Sequence, residues 1–149
     1  MKPEPKTIRI LLADDDADDR LLVQEAFEEN HLLNILETVE DGEELMDYLN
    51  RRGKFSETAI RPNMILLDLN MPRKSGLEAL REIKANADLC TIPVVVLTTS
   101  KAEEDIIRSY QLGVNSFIVK PVTFESLVDL VKTLGRYWLQ IVELPSRDA

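Results

Sequence analysis

Acidic side chains follow two apolar runs of this sequence. The triplet Asp14–Asp16 comes directly after the run Ile8–Ala13, and Asp68 follows the run Met64–Leu67. If both runs are neighbouring parallel strands, the carboxylates meet at the carboxyl edge of one sheet, where open α/β folds bind ligands. Carboxylates about 4 Å apart repel each other by roughly 4 kcal/mol per pair at an effective dielectric near 20. The pattern therefore predicts a site that binds a cation or retains a proton.

Two further polar residues, Thr98 and Lys120, each follow an apolar run. Mg²⁺ is a small hard cation that proteins typically bind through carboxylates, waters and a phosphate oxygen. A hydroxyl donor and a fixed ammonium, added to that cation, suit the oxygens of a phosphoryl group in transfer. Asp68 is then predicted to be the nucleophile that receives phosphate as an acyl phosphate. Each residue alone is more commonly a helix cap or a solvated loop residue, so the prediction depends on their joint pattern.

Five apolar runs alternate with helical patterns along the chain. The runs predicted as strands are Ile8–Ala13, Ile35–Val39, Met64–Leu67, Val94–Leu97 and Ser116–Val119. This alternation predicts right-handed crossovers and an α/β fold, in which helices cover both faces of a mostly parallel sheet. The polar segment 51–62 is predicted to be a connection without structure of its own. The last helix is predicted to run from about Phe124 to Val142.

Composition and charge exclude several classes of protein. At 149 residues the chain is predicted to be one domain, 1–149, with a loose leader at 1–7 and a tail at 143–149. The net charge of −9 opposes nucleic-acid binding through phosphate neutralisation. No apolar run approaches the roughly 18 residues of a membrane span, and the single cysteine, Cys90, is typical of a reducing compartment. We therefore expect a cytoplasmic protein without nucleic-acid or membrane partners.

Four motifs follow one another in the chain: DD at 14–15, DLNMPRKSG at 68–76, LTTS at 97–100 and FIVKP at 117–121. In this order they resemble the receiver domain of two-component response regulators, and the resemblance covers nearly the whole chain. It implies the flavodoxin-like strand order 2-1-3-4-5 and a histidine kinase as the source of phosphate. It also implies roles for four residues, which are Asp68 as phosphoacceptor, Asp15 as the principal Mg²⁺ carboxylate, Asp14 as a ligand through water, and Asn70 as a ligand through its backbone carbonyl.

The same resemblance assigns residues to phosphate binding and switching. Lys120 matches the phosphate-binding lysine, Thr98 the switch hydroxyl and Phe117 the switch aromatic. The peptide bond between Lys120 and Pro121 is expected to be cis. Asp16 stands where a narrower group of response regulators has a small polar residue, and a third acid at this position is expected to loosen the metal geometry.

Three segments resemble the single-domain response regulators of cyanobacterial phytochromes. They are residues 51–72, VVVLTTS at 94–100 and YWLQIVELP at 137–145, and they imply a phytochrome kinase as partner. After Val142 no segment is predicted to form a DNA-binding or enzymatic domain. The protein is therefore expected not to be an enzyme and to signal by protein–protein contact.

The last predicted helix carries two apolar stripes. One is expected to cover the sheet, and the second has 4-3-4 spacing, which is typical of helix pairing. Its residues are Leu130, Leu134, Tyr137 and Ile141. Because a solvated second stripe would be an unusual apolar patch, we predict a homodimer through this helix. The alternative is that segment 51–62 folds over the stripe within one chain.

The sequence leaves three other functions to be considered. A flavin-binding electron carrier would need a phosphate loop after the first strand, where the triplet Asp14–Asp16 would repel the phosphate. A phosphohydrolase would need a second acid two residues after the nucleophile, where Asn70 stands. A receiver-like protein that only binds partners is disfavoured by the presence of Asp68, Thr98 and Lys120.

Overall fold

The computed structural model describes residues 8–30, 34–99 and 102–136. Within these ranges the strands are β1 (Ile8–Ala13), β2 (Asn34–Val39), β3 (Met64–Leu67), β4 (Val94–Thr98) and β5 (Ser116–Val119). They form one parallel sheet in the order β2-β1-β3-β4-β5. The flavodoxin-like order is therefore confirmed, and β1 and β3 are neighbours, as the predicted carboxylate cluster requires.

Helices connect the strands, and most of them are preceded by a residue whose side chain can cap the helix. They are α1 (Ala17–Glu29), α2 (Gly42–Leu49), α3 (Gly76–Ala85), α4 (Glu103–Gln111) and α5 (Phe124–Leu134). A side-chain oxygen of the preceding residue accepts a backbone N–H of the first turn in four of them. Such a cap satisfies a donor that has no partner within the helix. The capping residues are Asp16, Asp41, Ser75 and Thr123.

The two faces of the sheet are buried under different helices. Successive residues of a strand point to opposite faces, so the apolar runs of β3 and β4 are buried on both sides. One apolar cluster lies between the sheet and helices α2 and α3, and it includes Leu11, Leu45, Ile65, Leu80 and Val96. The other lies between the sheet and helices α1 and α5, and it includes Ile10, Phe27, Leu66, Val95 and Val131. Burial of each such side chain contributes about 1.5–3 kcal/mol, and this burial fixes the strands that carry the site.

The connection 51–62 has local structure, so the prediction of an unstructured segment is wrong. Residues Gly53–Phe55 form a short 3₁₀ helix. The ring of Phe55 packs edge-on against Tyr48 of α2, with centroids 5.1 Å apart. The Tyr48 hydroxyl donates to the carbonyl of Ile60 at 3.2 Å. Because α2 and α5 lie on opposite faces of the sheet, this segment packs away from the described part of α5. The prediction that it folds over the second stripe is wrong for that part of the helix.

Helix α5 is observed from Phe124 to Leu134, residues 135–136 continue it as a π-helical turn, and the rest of the predicted helix, 137–142, lies outside the described residues. The predicted dimer residues Tyr137 and Ile141 lie outside them as well. Leu134 is only 6% exposed within the single chain, and Leu130 is half-buried against the α1–α5 cluster. The described half of the stripe is thus largely covered within the chain. No helix among the described residues is long and apolar enough to cross a membrane.

Candidate functional site

The backbone register of β1 and β3 brings Asp14 and Asp68 side by side. Ala13 pairs with Leu67, so the next residue on each strand is a carboxylate. The Asp68 N–H donates to the Ala13 carbonyl at 2.9 Å, which extends the ladder by one residue. Asp14, Asp15 and Asp68 each place one carboxylate oxygen within 4.8 Å of the other two. The predicted convergence of these three residues is therefore observed.

Lys120 lies against this cluster. Its N–H donates to the Thr98 carbonyl at 2.8 Å, so the residue continues the β4–β5 ladder and its side chain reaches the carboxyl edge. The ammonium Nζ is 2.5 Å from Asp14 Oδ2 and 3.9 Å from Asp68 Oδ2. The side chains of Lys120 and Asp14 are 8% and 1% exposed, so this ion pair is almost fully removed from water.

Burial and ion pairing shift the pKa values of Asp14 and Lys120. Burial raises the pKa of Asp14 by more than the hydrogen bond from Lys120 lowers it. Burial is the largest single influence on the pKa of Lys120 and lowers it, but the hydrogen bonds to Asp14 and Asp19, together with the negative charges of Asp14 and Asp68, outweigh burial and raise the pKa. The ammonium is therefore held in its charged form and supplies a fixed positive charge beside Asp68.

Thr98 is the last residue of β4, whereas the sequence had predicted it just after the strand. Its buried hydroxyl donates to Asp68 Oδ1 at 2.7 Å. The backbone N–H of Asn70 donates to the same oxygen at 3.3 Å. These two bonds orient the Asp68 carboxylate and leave Oδ2 as the oxygen nearer Lys120.

The loop after Asp68 depends on a glycine. A Cβ atom on Gly76 would lie 2.3 Å from the Asp68 carbonyl oxygen and 2.6 Å from Leu69 Cα. The Gly76 N–H donates to the Leu69 carbonyl at 2.9 Å. The start of α3 is thus packed directly against the backbone of Asp68, and only glycine fits this approach.

The donor set fits a hard divalent cation. Three carboxylates from Asp14, Asp15 and Asp68 face one ammonium, which leaves an excess of negative charge. Carboxylate oxygens are the ligands that Mg²⁺ and Mn²⁺ prefer. Asp15 is exposed whereas Asp14 and Asp68 are buried, so the cluster opens to solvent on the side of Asp15. The assignment of the Asn70 carbonyl as a further ligand stays a prediction.

Asp16 does not join the cluster with its side chain. Its Oδ1 accepts the backbone N–H groups of Asp18 and Asp19 at 2.8 and 3.2 Å, and it caps α1. Its own N–H donates to Asp14 Oδ1 at 3.0 Å. The third acid of the triplet thus begins the helix and orients Asp14. These bonds give no support to the expectation that Asp16 loosens the metal geometry.

Phe117 lies on β5, half-buried against the α2–α3 cluster. It pairs with Val96, two residues before Thr98 on β4, and Thr98 shares the strand face of Val96 because side chains alternate. The Phe117 N–H donates to the Tyr110 hydroxyl of α4 at 3.2 Å. Phe117 is therefore placed to connect the Thr98 side of the sheet with α4.

The expectation of a cis peptide bond before Pro121 is wrong. The peptide bonds of the described residues, including that between Lys120 and Pro121, are all trans. The trans bond still lets the Lys120 ammonium reach Asp14 and Asp68, so the aim of this side chain does not require the costlier isomer.

Asp19 is a site residue that the sequence reading missed. Its Oδ2 accepts from Lys120 Nζ at 2.9 Å, and its side chain is 34% exposed. The sequence assigned this aspartate only to the acidic first turn of α1, where it is also favoured by the helix dipole. Asp19 comes four residues after Asp15, about one helical turn along the chain. This spacing is the single sequence signal that could have suggested its contact with Lys120.

Comparisons with known proteins agree with this geometry. A family model described as the response regulator receiver domain matches residues 10–132. The response regulator Rcp1 of Synechocystis sp. is 44% identical over 137 residues, which cover 92% of this chain and 92% of that protein. The crystal structure of the Mn²⁺-bound form of Rcp1 has a TM-score of 0.86 and covers 93% of this chain and 99% of its own.

A second solved structure is equally close. The crystal structure of the phosphorylated cyanobacterial phytochrome response regulator RcpA is 42% identical, with a TM-score of 0.89, and covers 95% of this chain and 100% of its own. The family match runs from within β1 through β5 and includes the acidic cluster, and both relatives extend over almost the full chain. This chain belongs to the response regulator receiver family and is similar to the cyanobacterial phytochrome response regulators.

Proposed function

We propose that this protein takes a phosphoryl group from a histidine kinase onto Asp68 and signals by protein–protein contact. The observation that carries the proposal is the convergence of Asp14, Asp15, Thr98 and Lys120 on one oriented carboxylate. A carboxylate nucleophile, a fixed ammonium and a hydroxyl donor are the groups that phosphoryl transfer to aspartate needs. Membership in the receiver family supports the same reaction.

The residues of the chain perform separate parts of the transfer. An oxygen of Asp68 attacks phosphorus, an O–P bond forms, and the N–P bond of the phosphohistidine breaks with its electron pair returning to the imidazole. Lys120 offsets the charge of the phosphoryl oxygens, and Thr98 can turn its O–H from Asp68 to one of them. A bound Mg²⁺, held by Asp14, Asp15 and Asp68 with the Asn70 carbonyl, would neutralise charge on the same oxygens. The later loss of phosphate to water regenerates the carboxylate.

The switch that we propose begins at Thr98. If the hydroxyl follows the new phosphoryl oxygens, the space beneath the end of β4 changes, and the half-buried Phe117 ring can follow on the same face. Its backbone bond to Tyr110 extends the response to α4. A local change of charge would then alter the partner surface formed by α4, β5 and α5.

The kinase we propose is of phytochrome type, since RcpA is a cyanobacterial phytochrome response regulator. We also propose a homodimer through the last helix, with Leu130, Leu134, Tyr137 and Ile141 at its interface. Sedimentation at tens of micromolar tests the dimer, a concentration suited to weak interfaces. Leu130→Glu is expected to give monomers, and circular dichroism checks that it is folded, because Leu130 also packs against the α1–α5 cluster. Lys132→Glu, on an exposed position of the same helix, is the matched control for the change of charge. A monomeric wild type would contradict the dimer.

Incubation with Mg²⁺ and a small phosphodonor, followed by intact mass measurement, tests phosphorylation. The wild type is expected to gain one phosphoryl mass, and Asp68→Asn to gain none. Asp16→Asn is the matched control, because it removes a neighbouring carboxylate while asparagine can still cap α1. A chelator is expected to abolish the gain. Labelling of Asp68→Asn at the wild-type level would overturn the assignment.

A further inference from the structure

The Lys120 ammonium is shared unequally among three carboxylates. Nζ lies 2.5 Å from Asp14 Oδ2, 2.9 Å from Asp19 Oδ2 and 3.9 Å from Asp68 Oδ2. An ammonium has three N–H donors, and N–H···O hydrogen bonds have donor–acceptor distances of about 2.7–3.2 Å. Asp14 and Asp19 are therefore hydrogen-bonded to Lys120, whereas Asp68 feels its charge without a hydrogen bond.

Asp14 and Asp19, the two carboxylates hydrogen-bonded to Lys120, differ in their burial and in their other contacts. Asp14 is fully buried and belongs to the metal cluster with Asp15 and Asp68. Asp19 lies outside that cluster, in the first turn of α1, and is about one-third exposed. Asp14 and Lys120 are both almost fully enclosed, so their ion pair keeps the Lys120 side chain in the site. Asp19 adds a second anchor and a negative charge beside the ammonium.

We propose that Asp19 is a positioning residue that competes with the phosphoryl group on Asp68 for Lys120. This inference rests on the proposed phosphorylation of Asp68. In the unphosphorylated protein Asp19 holds the ammonium outside hydrogen-bond distance of Asp68. In the phosphorylated protein its carboxylate draws the lysine away from the phosphoryl oxygens and repels their charge. Asp19 therefore shortens the lifetime of the phosphorylated state.

The size of the effect follows from distance. The spacing of Lys120 from Asp19 and from Asp68 places the Asp19 carboxylate within about 7 Å of Asp68. At water-like screening, one unit charge at about 7 Å changes an equilibrium by about threefold, and weaker screening inside the site increases this factor. Removal of this repulsion stabilises the phosphorylated ground state relative to the transition state for hydrolysis, so we expect the phosphoprotein half-life to lengthen by about threefold or more.

Four proteins separate positioning from structural damage. Asp19→Asn removes the charge at nearly constant shape, and Asp19→Glu restores a carboxylate. Asp18→Asn is the matched control, because Asp18 is exposed in the same helical turn and the variant has the same net charge. Each protein is phosphorylated with a small phosphodonor and Mg²⁺, the donor is removed, and the decay of phosphorylated mass is followed. Thermal unfolding of each variant is recorded in parallel.

The expected result is a longer lifetime of the phosphorylated state without a loss of thermal stability. Asp19→Asn should hold phosphate about threefold longer than the wild type, while Asp18→Asn and Asp19→Glu should remain close to wild type. An Asp19→Asn half-life equal to or shorter than that of Asp18→Asn overturns the inference and leaves the phosphorylation of Asp68 intact. Failure of the wild type to gain phosphate overturns the proposed function instead.

A structural measurement tests the positioning itself without phosphorylation. In a crystal structure of Asp19→Asn, Lys120 Nζ is expected to move from 3.9 Å to hydrogen-bond distance of Asp68 Oδ2. An unchanged Nζ position in that variant overturns the claim that Asp19 holds the ammonium back, whatever the phosphorylation assay gives.

Discussion

Replacement of Lys120 by methionine tests how the site balances its charges. The Lys120 and Asp14 side chains are 8% and 1% exposed and lie 2.5 Å apart, so Lys120→Met leaves a buried carboxylate without its cation. Removing one partner of a buried ion pair costs about 3–5 kcal/mol. We therefore expect Lys120→Met to lower the free energy of unfolding by about that amount in the absence of divalent cations, a large part of the 5–15 kcal/mol typical of a domain.

The matched control is another lysine–carboxylate pair at the surface. Lys54 Nζ lies 3.1 Å from Glu44 Oε2, but the Lys54 side chain is 69% exposed. Such pairs contribute about 0–1 kcal/mol, so Lys54→Met should have little effect. The double variant Lys120→Met/Asp14→Asn should recover most of the loss, because it removes the stranded charge. Denaturant unfolding with a chelator, repeated with Mg²⁺, measures all four proteins, and Mg²⁺ should partly rescue Lys120→Met.

The pH dependence of the same variant gives an independent check. Burial raises the pKa of Asp14 above its usual value of 3.8, so the folded state binds this proton more tightly than the unfolded chain. Its contribution to stability is present below that usual value and is lost as pH rises through the raised pKa. Because Lys120→Met removes the hydrogen bond that lowers this pKa, its deficit should be largest near neutral pH and shrink in acid. Equal losses for Lys120→Met and Lys54→Met, or no recovery in the double variant, would refute the reasoning.

Three further substitutions test other parts of the site. Gly76→Ala places a methyl group against the Asp68 backbone, so we expect a loss of about 1–3 kcal/mol in denaturant unfolding and slower phosphorylation by intact mass. Thr98→Ala should cost about 1–3 kcal/mol, because the buried Asp68 Oδ1 loses its shorter hydrogen bond and keeps only the longer one from the Asn70 N–H. It should still take phosphate, and partner affinity should no longer respond to phosphorylation. Asp16→Ala should cost about 1 kcal/mol in thermal or denaturant unfolding through loss of the α1 cap. Its Mg²⁺ affinity by calorimetry should match the wild type, and a large change would support the expectation that Asp16 affects the metal geometry.

The sheet could be predicted because its core strands carry a strong signal. The strand Met64–Leu67 is buried at every position, and an uninterrupted apolar run is what a strand covered on both faces requires. Caps such as Asp16 also follow from local chemistry, since one side chain satisfies its own helix. The 3₁₀ turn at Gly53–Phe55 was missed because its stability comes from packing against Tyr48, and the polar segment itself has no periodic pattern.

The residues of the site likewise fall into those whose positions follow from local sequence and those whose positions depend on tertiary packing. Asp14, Asp68 and Lys120 each come directly after a strand, and the register of a strand is fixed by its buried face, because a slip of one residue would turn every side chain to the opposite side. The convergence of these three residues could therefore be predicted from the strands alone. Asp19 instead reaches Lys120 from a helix in another layer. Its placement depends on how α1 packs beside α5, a contact marked by the bond from Asn30 to the Val128 carbonyl. No local sequence pattern encodes that packing. The residues whose positions follow from strand register, Asp14, Asp68 and Lys120, could therefore be predicted from this sequence. The position of Asp19, which depends on how two helices pack, required the structure.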